Sequence, residues 1–222
     1  MGNWNGYAVA WSQLHGGFDP RHAGPAVRGW MRAAYRVGAV LARAGIPPAA
    51  VTLVGLLTSV SVPVLASQSA GRLALAAVFV VLSAMADSVD GAVAVVSGRA
   101  SRLGYVYDSV ADRIGEACWL AAFWVVGAPA PLVVLLGAAC WLHEYLRARA
   151  TAAGMTEIGA VTVGERPTRV ALAAGGLLLA GAAGTLQPDL PAGTITVVAA
   201  LWLTLALFGL TQLLTTINRV LS

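Results

Sequence analysis

The amino-acid sequence predicts an all-α integral membrane protein with six transmembrane helices and an interfacial amphipathic helix near its N-terminus. Of the 222 residues, 58% are hydrophobic and only 11% are charged, and the mean hydropathy is +0.76. Soluble globular domains carry about 25% charged residues, so this chain lies outside that class. Several apolar runs also reach the ~20 residues that a helix needs to cross the hydrocarbon core of a bilayer.

The N-terminal part divides into a leader and an amphipathic helix. Residues 1–24 show no apolar period, and we interpret them as a cytoplasmic leader ahead of a single membrane domain over residues 25–222. From Pro25 to Ala44 arginines recur along one stripe, which predicts a helix lying in the headgroup plane; a plain surface helix is the alternative. Ile46, Pro47 and Pro48 end this helix and begin the first span.

The remaining sequence consists of apolar runs separated by short polar links. The six predicted spans cover residues 50–67, 73–95, 105–127, 131–150, 168–187 and 193–216. The longest predicted inner loop covers residues 151–168. All fourteen basic residues are arginine. Only Arg72 falls in a link that is predicted to lie on the outer side of the membrane. By the positive-inside rule, both termini are expected in the cytoplasm of a multi-pass cell-membrane protein. The pI of about 9.6 indicates attraction to anionic membrane lipids, with no nucleic-acid partner expected.

Four carboxylates are concentrated beside the second and third predicted spans, on the cytoplasmic side. Asp87 and Asp90 are at positions i and i+3, and Asp108 and Asp112 are at positions i and i+4, so each pair lies on one face of a helix. Carboxylates at membrane depth indicate function, because burying them is expensive. Helix capping or an ion pathway is the alternative, but capping needs one carboxylate per helix end. The cluster therefore predicts a site for two divalent ions, with Mg²⁺, Mn²⁺ or Ca²⁺ suited to oxygen ligands.

A second polar group lies around the link between the fourth and fifth spans. It consists of Arg147, Arg149, Arg166 and Arg169. Guanidinium groups bind phosphate oxygens in pairs, so this group indicates phosphate binding; simple anchoring by the positive-inside rule is the alternative. His15, His22 and His143 match no catalytic motif, and Cys118 and Cys140 match no zinc spacing.

Residues 87–112 read Asp-x2-Asp-Gly-x2-Ala-x9-Gly-x3-Asp-x3-Asp. This string resembles the signature of the CDP-alcohol phosphotransferases, which is Asp-x2-Asp-Gly-x2-Ala-Arg-x8-Gly-x3-Asp-x3-Asp. The resemblance implies a membrane enzyme that transfers a phospho-alcohol group from a CDP-linked donor to a hydroxyl and releases CMP. It implies that Asp87, Asp90 and Asp108 hold two metal ions, and that Asp112 is a metal neighbour and the candidate base. The residues expected on the donor side are Gly91, Ala94, Arg99, Ser101 and Gly104.

One position departs from the family signature. The arginine that follows the alanine in the family is Val95 here. Arg99 and Arg102 are the candidate substitutes. Arg99 is favoured, because an α-helix continuing through residue 99 would place it one turn after Val95 on the same face.

The segments Tyr145–Arg149 and Glu165–Arg169 resemble parts of the actinobacterial phosphatidylinositol-phosphate and phosphatidylglycerophosphate synthases within this family. The resemblance implies CDP-diacylglycerol as donor, a small polyol phosphate such as inositol phosphate as acceptor, and a homodimer. Arg147, Arg166 and Arg169 are the predicted ligands of the acceptor phosphate. The alternatives are a phosphatidylglycerophosphate synthase and a non-catalytic membrane protein that binds divalent metal on the same fold.

Overall fold

The computed structural model describes residues 3–14, 17–155 and 162–222 of the chain. Within these ranges it contains eight α-helices and no β-strand, which confirms the all-α prediction. The helices are α1 (Trp4–Leu14), α2 (Pro25–Arg43), α3 (Pro48–Ala66), α4 (Leu73–Ser97), α5 (Arg102–Val126), α6 (Ala130–Ala152), α7 (Arg166–Leu186) and α8 (Leu190–Leu221). Of the predicted inner loop at 151–168, residues 156–161 lie outside the described part.

In the described part of the chain, four helical stretches are long and apolar enough to cross a membrane, instead of the six that the sequence analysis predicts. They are Pro48–Ala66, Ala70–Ser97, Arg166–Leu186 and Leu190–Leu221, the second of which includes a 3₁₀ turn before α4. The helices α5 and α6 nearly coincide with the other two predicted spans. They do not qualify because each carries several charged residues: Arg102, Asp108, Asp112, Arg113 and Glu116 in α5, and Glu144, Arg147 and Arg149 in α6.

Helix α1 lies where the sequence analysis assigns only a leader. Its first turn is capped by Asn3, whose Oδ1 accepts a hydrogen bond of 2.9 Å from the backbone N–H of Gly6. Trp4, Tyr7 and Trp11 follow at positions i, i+3 and i+7, which puts the three rings on one face. This aromatic stripe was the available signal for a helix. Residues 1–2 and 15–16 of the predicted leader lie outside the described part.

The first of two compact units comprises Met1–Leu57 and Leu82–Ile114. It has two small cores, one formed by Tyr7, Met31, Ala92 and Val95 and the other by Ala34, Val51, Val89 and Val93. Helix α2 is confirmed as a helix and buries Met31, Ala34 and Gly38. At Gly38 the backbones of α2 and α4 approach so closely that an added Cβ would lie 2.7 Å from the Cβ of Ala92.

The second unit comprises Thr58–Val81 and Gly115–Ser222. In it, α8 packs against both α6 and α7. Its core includes Phe123 and Trp202, whose rings meet edge to face with centroids 5.8 Å apart. Large apolar side chains also remain on the outside of this unit, among them Val134, Leu186 and Val197. An apolar exterior around an apolar core is what a lipid environment requires.

Two glycines of α2 provide a test of the packing between α2 and α4. Alanine is favoured over glycine in a helix by about 0.5–1 kcal/mol, and nothing lies within 4 Å of a Cβ added at Gly29. We therefore expect Gly29→Ala to raise the unfolding temperature in detergent. We expect Gly38→Ala to lower it, because overpacking typically costs about 1–3 kcal/mol. A stabilising Gly38→Ala would contradict the close approach.

Candidate metal centre

Three of the four predicted aspartates converge in the first unit. Asp87 and Asp90 lie on one face of α4, and Asp108 comes from α5. Each offers a carboxylate oxygen, and these three oxygens lie within 4.8 Å of one another. Asp90 is buried, whereas Asp87 and Asp108 are half-buried. Three negative charges at this separation repel one another strongly, and a bound cation would offset that repulsion.

A hydrogen bond from α3 orients the buried member of this group. The hydroxyl of Thr52 donates to Oδ2 of Asp90 at 2.5 Å. Asp90 is only 4% exposed, so a partner for its carboxylate is needed to offset the loss of water. One of its oxygens is thereby held in place. Outer hydrogen bonds of this kind fix the direction in which a ligand presents its oxygen to a metal.

Asp112 lies one helical turn after Asp108 on α5, outside the group of three. Its carboxylate is 3.8 Å from Nη2 of the neighbouring Arg113. Asp112 therefore lies on the same helical face as Asp108, which is a candidate metal ligand. The carboxylate of Asp112 also has a cationic neighbour, Arg113.

The donor set fits a hard divalent cation. All three converging groups supply carboxylate oxygens, which suit Mg²⁺ and Mn²⁺ better than softer metals. Mg²⁺ keeps several waters and takes only a few protein carboxylates when it works with phosphate substrates. Asp87, Asp90 and Asp108 can supply such a partial shell and leave positions open.

The link between α4 and α5 corrects the predicted geometry of Arg99. Helix α4 ends at Ser97, and Gly98 has a φ of +68°, in the left-handed region that glycine adopts readily. Because the helix stops before residue 99, Arg99 does not lie on the same helical face as Val95. Its Nη1 donates to the backbone oxygen of Gly45 at 3.4 Å. Val95 is buried in the core that contains Tyr7 and Met31.

The other residues predicted on the donor side lie on the same two helices. Ser101 caps α5, because its Oγ accepts a hydrogen bond of 3.0 Å from the backbone N–H of Gly104. An added Cβ at Gly104 would lie 3.0 Å from that oxygen, so a glycine here suits the cap. Ala94 is half-buried on α4, and the bare backbone of Gly91 is contacted by the ring of Trp11.

In the second unit, the predicted phosphate ligand Arg169 is completely paired with protein groups. Arg169 is 1% exposed, and its Nη1 donates to both carboxylate oxygens of Glu116, at 3.1 and 3.2 Å. Its Nη2 contacts Oε1 of Glu144 at 2.9 Å and Nδ1 of His143 at 3.3 Å. The Nε donates to the backbone oxygen of Gly164 at 2.8 Å. These contacts account for all five N–H groups of the guanidinium.

The other two predicted arginines are less enclosed. Arg147 and Arg166 are half-buried. Arg147 forms an ion pair with Glu165, and its buried Nε has no hydrogen-bond partner among the described residues. A buried guanidinium N–H without a partner is costly and would be satisfied by a bound anion. Glu116 was missed by the sequence analysis, although it lies one turn after Asp112 on the same helix.

The fold and the site together define an α-helical membrane protein with a carboxylate site for divalent metal. A family model described as CDP-alcohol phosphatidyltransferase matches residues 46–214. The chain belongs to the CDP-alcohol phosphatidyltransferase family, which confirms the resemblance seen in the signature.

Curated relatives of this chain include bacterial and archaeal proteins. The chain is 31% identical over 172 residues to the phosphatidylinositol phosphate synthase of Mycobacteroides abscessus, which covers 74% of this chain and 77% of that protein. It is 30% identical over 136 residues to the archaetidylinositol phosphate synthase of Pyrococcus horikoshii, over 59% of this chain and 70% of the relative.

Solved structures of a related protein have the same fold. The phosphatidylinositol phosphate synthase of Mycobacterium tuberculosis in complex with manganese and citrate superposes with a TM-score of 0.68 and 26% identity, covering 83% of this chain and 88% of that one. Its apo form gives a TM-score of 0.60 and 25% identity, over 83% and 94% of the two chains.

Metal binding by the three aspartates can be measured directly. We expect Asp108→Asn to weaken Mn²⁺ binding by at least about tenfold, because it removes one anionic ligand from the group of three. Isothermal titration of the purified protein gives the dissociation constant. Asp189→Asn is the matched control, since Asp189 is exposed and lies next to α8, far along the chain from the cluster. Unchanged Mn²⁺ affinity in Asp108→Asn would remove Asp108 from the metal site.

Proposed function

We propose that this chain transfers a phosphatidyl group from CDP-diacylglycerol to a hydroxyl of inositol phosphate and releases CMP. The observation that carries the proposal is the convergence of Asp87, Asp90 and Asp108 within 4.8 Å, in residues that match the family signature. The two related synthases described above act, by their names, in making inositol phosphate lipids. The enzyme is a metal-dependent member of its family.

The aspartates of the cluster would hold the metal. Asp87, Asp90 and Asp108 are proposed to bind two Mg²⁺ or Mn²⁺ ions, with Asp112 as their neighbour. When bound, such ions neutralise negative charge on the diphosphate oxygens and on the departing CMP phosphate. The hydrogen bond from Thr52 keeps the Asp90 carboxylate directed toward its ligand position.

Asp112 is the proposed general base. Its carboxylate would accept the proton of the acceptor hydroxyl, and the resulting oxygen would form a bond to the phosphorus that carries the diacylglycerol. The bond between that phosphorus and the bridging oxygen then breaks, and CMP leaves with the electron pair. Asp112 suits this role because it lies one turn from Asp108 and outside the group of three ligands.

The donor is proposed to lie along the N-terminal end of α5 and the adjacent face of α4. Gly91 has no side chain and Ala94 has only a methyl group, so a nucleotide can approach the backbone of α4 at these positions. Ser101 caps the first turn of α5, and Gly104 lies in that turn. Backbone N–H groups at the start of a helix favour anionic ligands. Arg99, on the link, is the proposed cation near the diphosphate, reached from the link rather than from a helical face.

Arg147 and Arg166 are the proposed ligands of the acceptor phosphate. Arg147 has a buried Nε with no hydrogen-bond partner among the described residues, and its ion pair with Glu165 holds the guanidinium in place. Arg169 is proposed to contribute by positioning, since its donors are filled by Glu116, Glu144 and His143. A phosphate could reach Arg169 only by displacing one of these groups.

The proposed orientation places both termini and the aspartates in the cytoplasm. The distribution of arginines supports this orientation. A homodimer is proposed from the family resemblance.

A second acceptor class and a non-catalytic role remain the alternatives. A phosphatidylglycerophosphate synthase would use glycerol phosphate with the same donor and the same metal site. A non-catalytic metal-binding protein on this fold is favoured by one observation, the replacement of the signature arginine by Val95.

Release of CMP from CDP-diacylglycerol separates these possibilities. We expect purified protein with Mn²⁺ to release CMP when inositol phosphate is added, and to lose this activity with chelator. Asp87→Asn should abolish turnover while the unfolding temperature stays close to that of the wild type. Asp189→Asn serves as the control.

CMP release with glycerol phosphate, but not with inositol phosphate, would assign the second acceptor. Absence of CMP release with every polyol phosphate, in protein that binds Mn²⁺, would favour the non-catalytic alternative.

The arginines can be separated by kinetics and stability. Arg147→Ala should raise the acceptor KM about tenfold or more and leave the donor KM unchanged, because it removes a charged contact to one substrate. Arg169→Ala should instead lower stability by about 3–5 kcal/mol, since it leaves Glu116 buried without its cation. Arg149→Ala, at an exposed site on α6, should change neither quantity. An effect of Arg147→Ala on the donor KM alone would move this residue to the donor site.

A further inference from the structure

Helix α1 is docked on the first unit through its aromatic stripe. The ring of Tyr7 lies 5.8 Å from that of Trp11 and 5.0 Å from that of Tyr35 on α2, centroid to centroid. Trp4 contacts Tyr35 at 5.9 Å, and the guanidinium of Arg32 lies 5.4 Å from the Trp4 ring. These contacts hold α1 against α2.

The indole ring of Trp11 covers Gly91. A Cβ added at Gly91 would lie 3.1 Å from Cζ3 and 3.3 Å from Cη2 of the Trp11 indole, which is tighter than ordinary van der Waals contact. The indole therefore rests directly on the bare backbone of α4, in the residue that follows Asp90. Nothing can be inserted between the ring and the helix at this position.

Val95 lies one helical turn after Gly91 and is covered by the same aromatic group. It is 7% exposed and belongs to the core formed with Tyr7, Met31 and Ala92. An arginine at this position would have its charged group buried among aromatic and aliphatic side chains, which is costly without a partner. The valine is thus compatible with the docked helix, and the arginine of the family signature is not.

We propose that α1 is an intramolecular cap that competes with the CDP end of the donor for the surface of Gly91, with Trp11 as the occluding residue. This inference rests on the proposed function, in which the nucleotide approaches α4 at Gly91. One volume cannot hold both the indole and a nucleotide, so α1 must leave this position when the donor binds.

The docked state also contains a group that favours release. The hydroxyl of Tyr7 is buried and has no hydrogen-bond partner among the described residues. A buried hydroxyl without a partner destabilises the state that contains it, and it regains water when the helix undocks. The aromatic contacts hold α1 in place, and this unsatisfied group lowers the cost of displacing it.

The affinity for CDP in the presence of Mn²⁺ tests the cap. If only a fraction of the molecules has α1 undocked, the apparent affinity for CDP is reduced by that fraction. Removing the occluding indole relieves this reduction, so we expect Trp11→Ala to bind CDP on the order of fivefold more tightly than wild type. Val9→Ala is the matched control, because Val9 is an apolar residue of α1 that is 43% exposed. Titration calorimetry on the full chain in detergent gives both constants.

Unchanged or weaker CDP binding by Trp11→Ala would overturn the cap; weaker binding would indicate that the indole supports the nucleotide. If wild type and Trp11→Ala both bind Mn²⁺ but neither binds CDP, the donor site of the proposed function is wrong and the cap is rejected with it. A wild type that binds CDP while Trp11→Ala gains nothing rejects the cap alone.

Hydrogen exchange on the wild type provides a test that needs no variant. If CDP and Mn²⁺ displace α1, the amides of Trp4–Leu14 should exchange faster on ligand addition, while those of α2 stay protected. Unchanged or slower exchange in α1 at saturating CDP would overturn the proposal, even if Trp11→Ala fails to fold.

Discussion

Each unit of this chain must hold buried charge on helices that are otherwise apolar. A carboxylate removed from water needs a hydrogen bond, a counter-charge or a metal, and without one of these it destabilises the fold. The second unit satisfies this requirement with protein groups, since Arg169 binds Glu116 through two hydrogen bonds and Glu144 through a third. In the first unit, three carboxylates converge within 4.8 Å, and an additional cation suits that arrangement.

The two clusters differ in composition, since one pairs carboxylates with a guanidinium and the other brings three carboxylates together. Around Arg169 the donors and acceptors are matched within the protein, so a ligand would have to displace an existing contact. At Asp87, Asp90 and Asp108 three carboxylates converge, an arrangement that suits a divalent cation, and Thr52 donates a hydrogen bond to one oxygen of Asp90. A site that gains stability from a bound cation is well suited to phosphate chemistry, because the same cation attracts the substrate.

The sequence was sufficient for the helical class and the aspartate cluster, because both depend on local spacing. The i, i+3 and i, i+4 patterns survive any packing of the helices. Arg99 was placed wrongly because its position depends on where α4 ends, and Gly98 ends it by adopting a φ of +68°. The partner of Arg169 was beyond prediction, since Glu116 is 53 residues away and no local pattern joins them. The prediction of six spans was wrong because the charged residues of α5 and α6 lower the hydropathy of these two helices. Pairing within the folded protein can offset such charges.

Helix α1 shows why a departure from a family signature should be considered together with the segments outside the family match. The match begins at residue 46, so α1 and α2 both precede it. Within the matched region, Val95 has no evident reason to replace an arginine. Once α1 is included, Tyr7 and Trp11 cover α4 at Val95 and Gly91, and an apolar residue becomes the one that packs there. Val95 and helix α1 are then parts of one arrangement, in which an apolar surface of α4 packs against aromatic residues of the N-terminal helix.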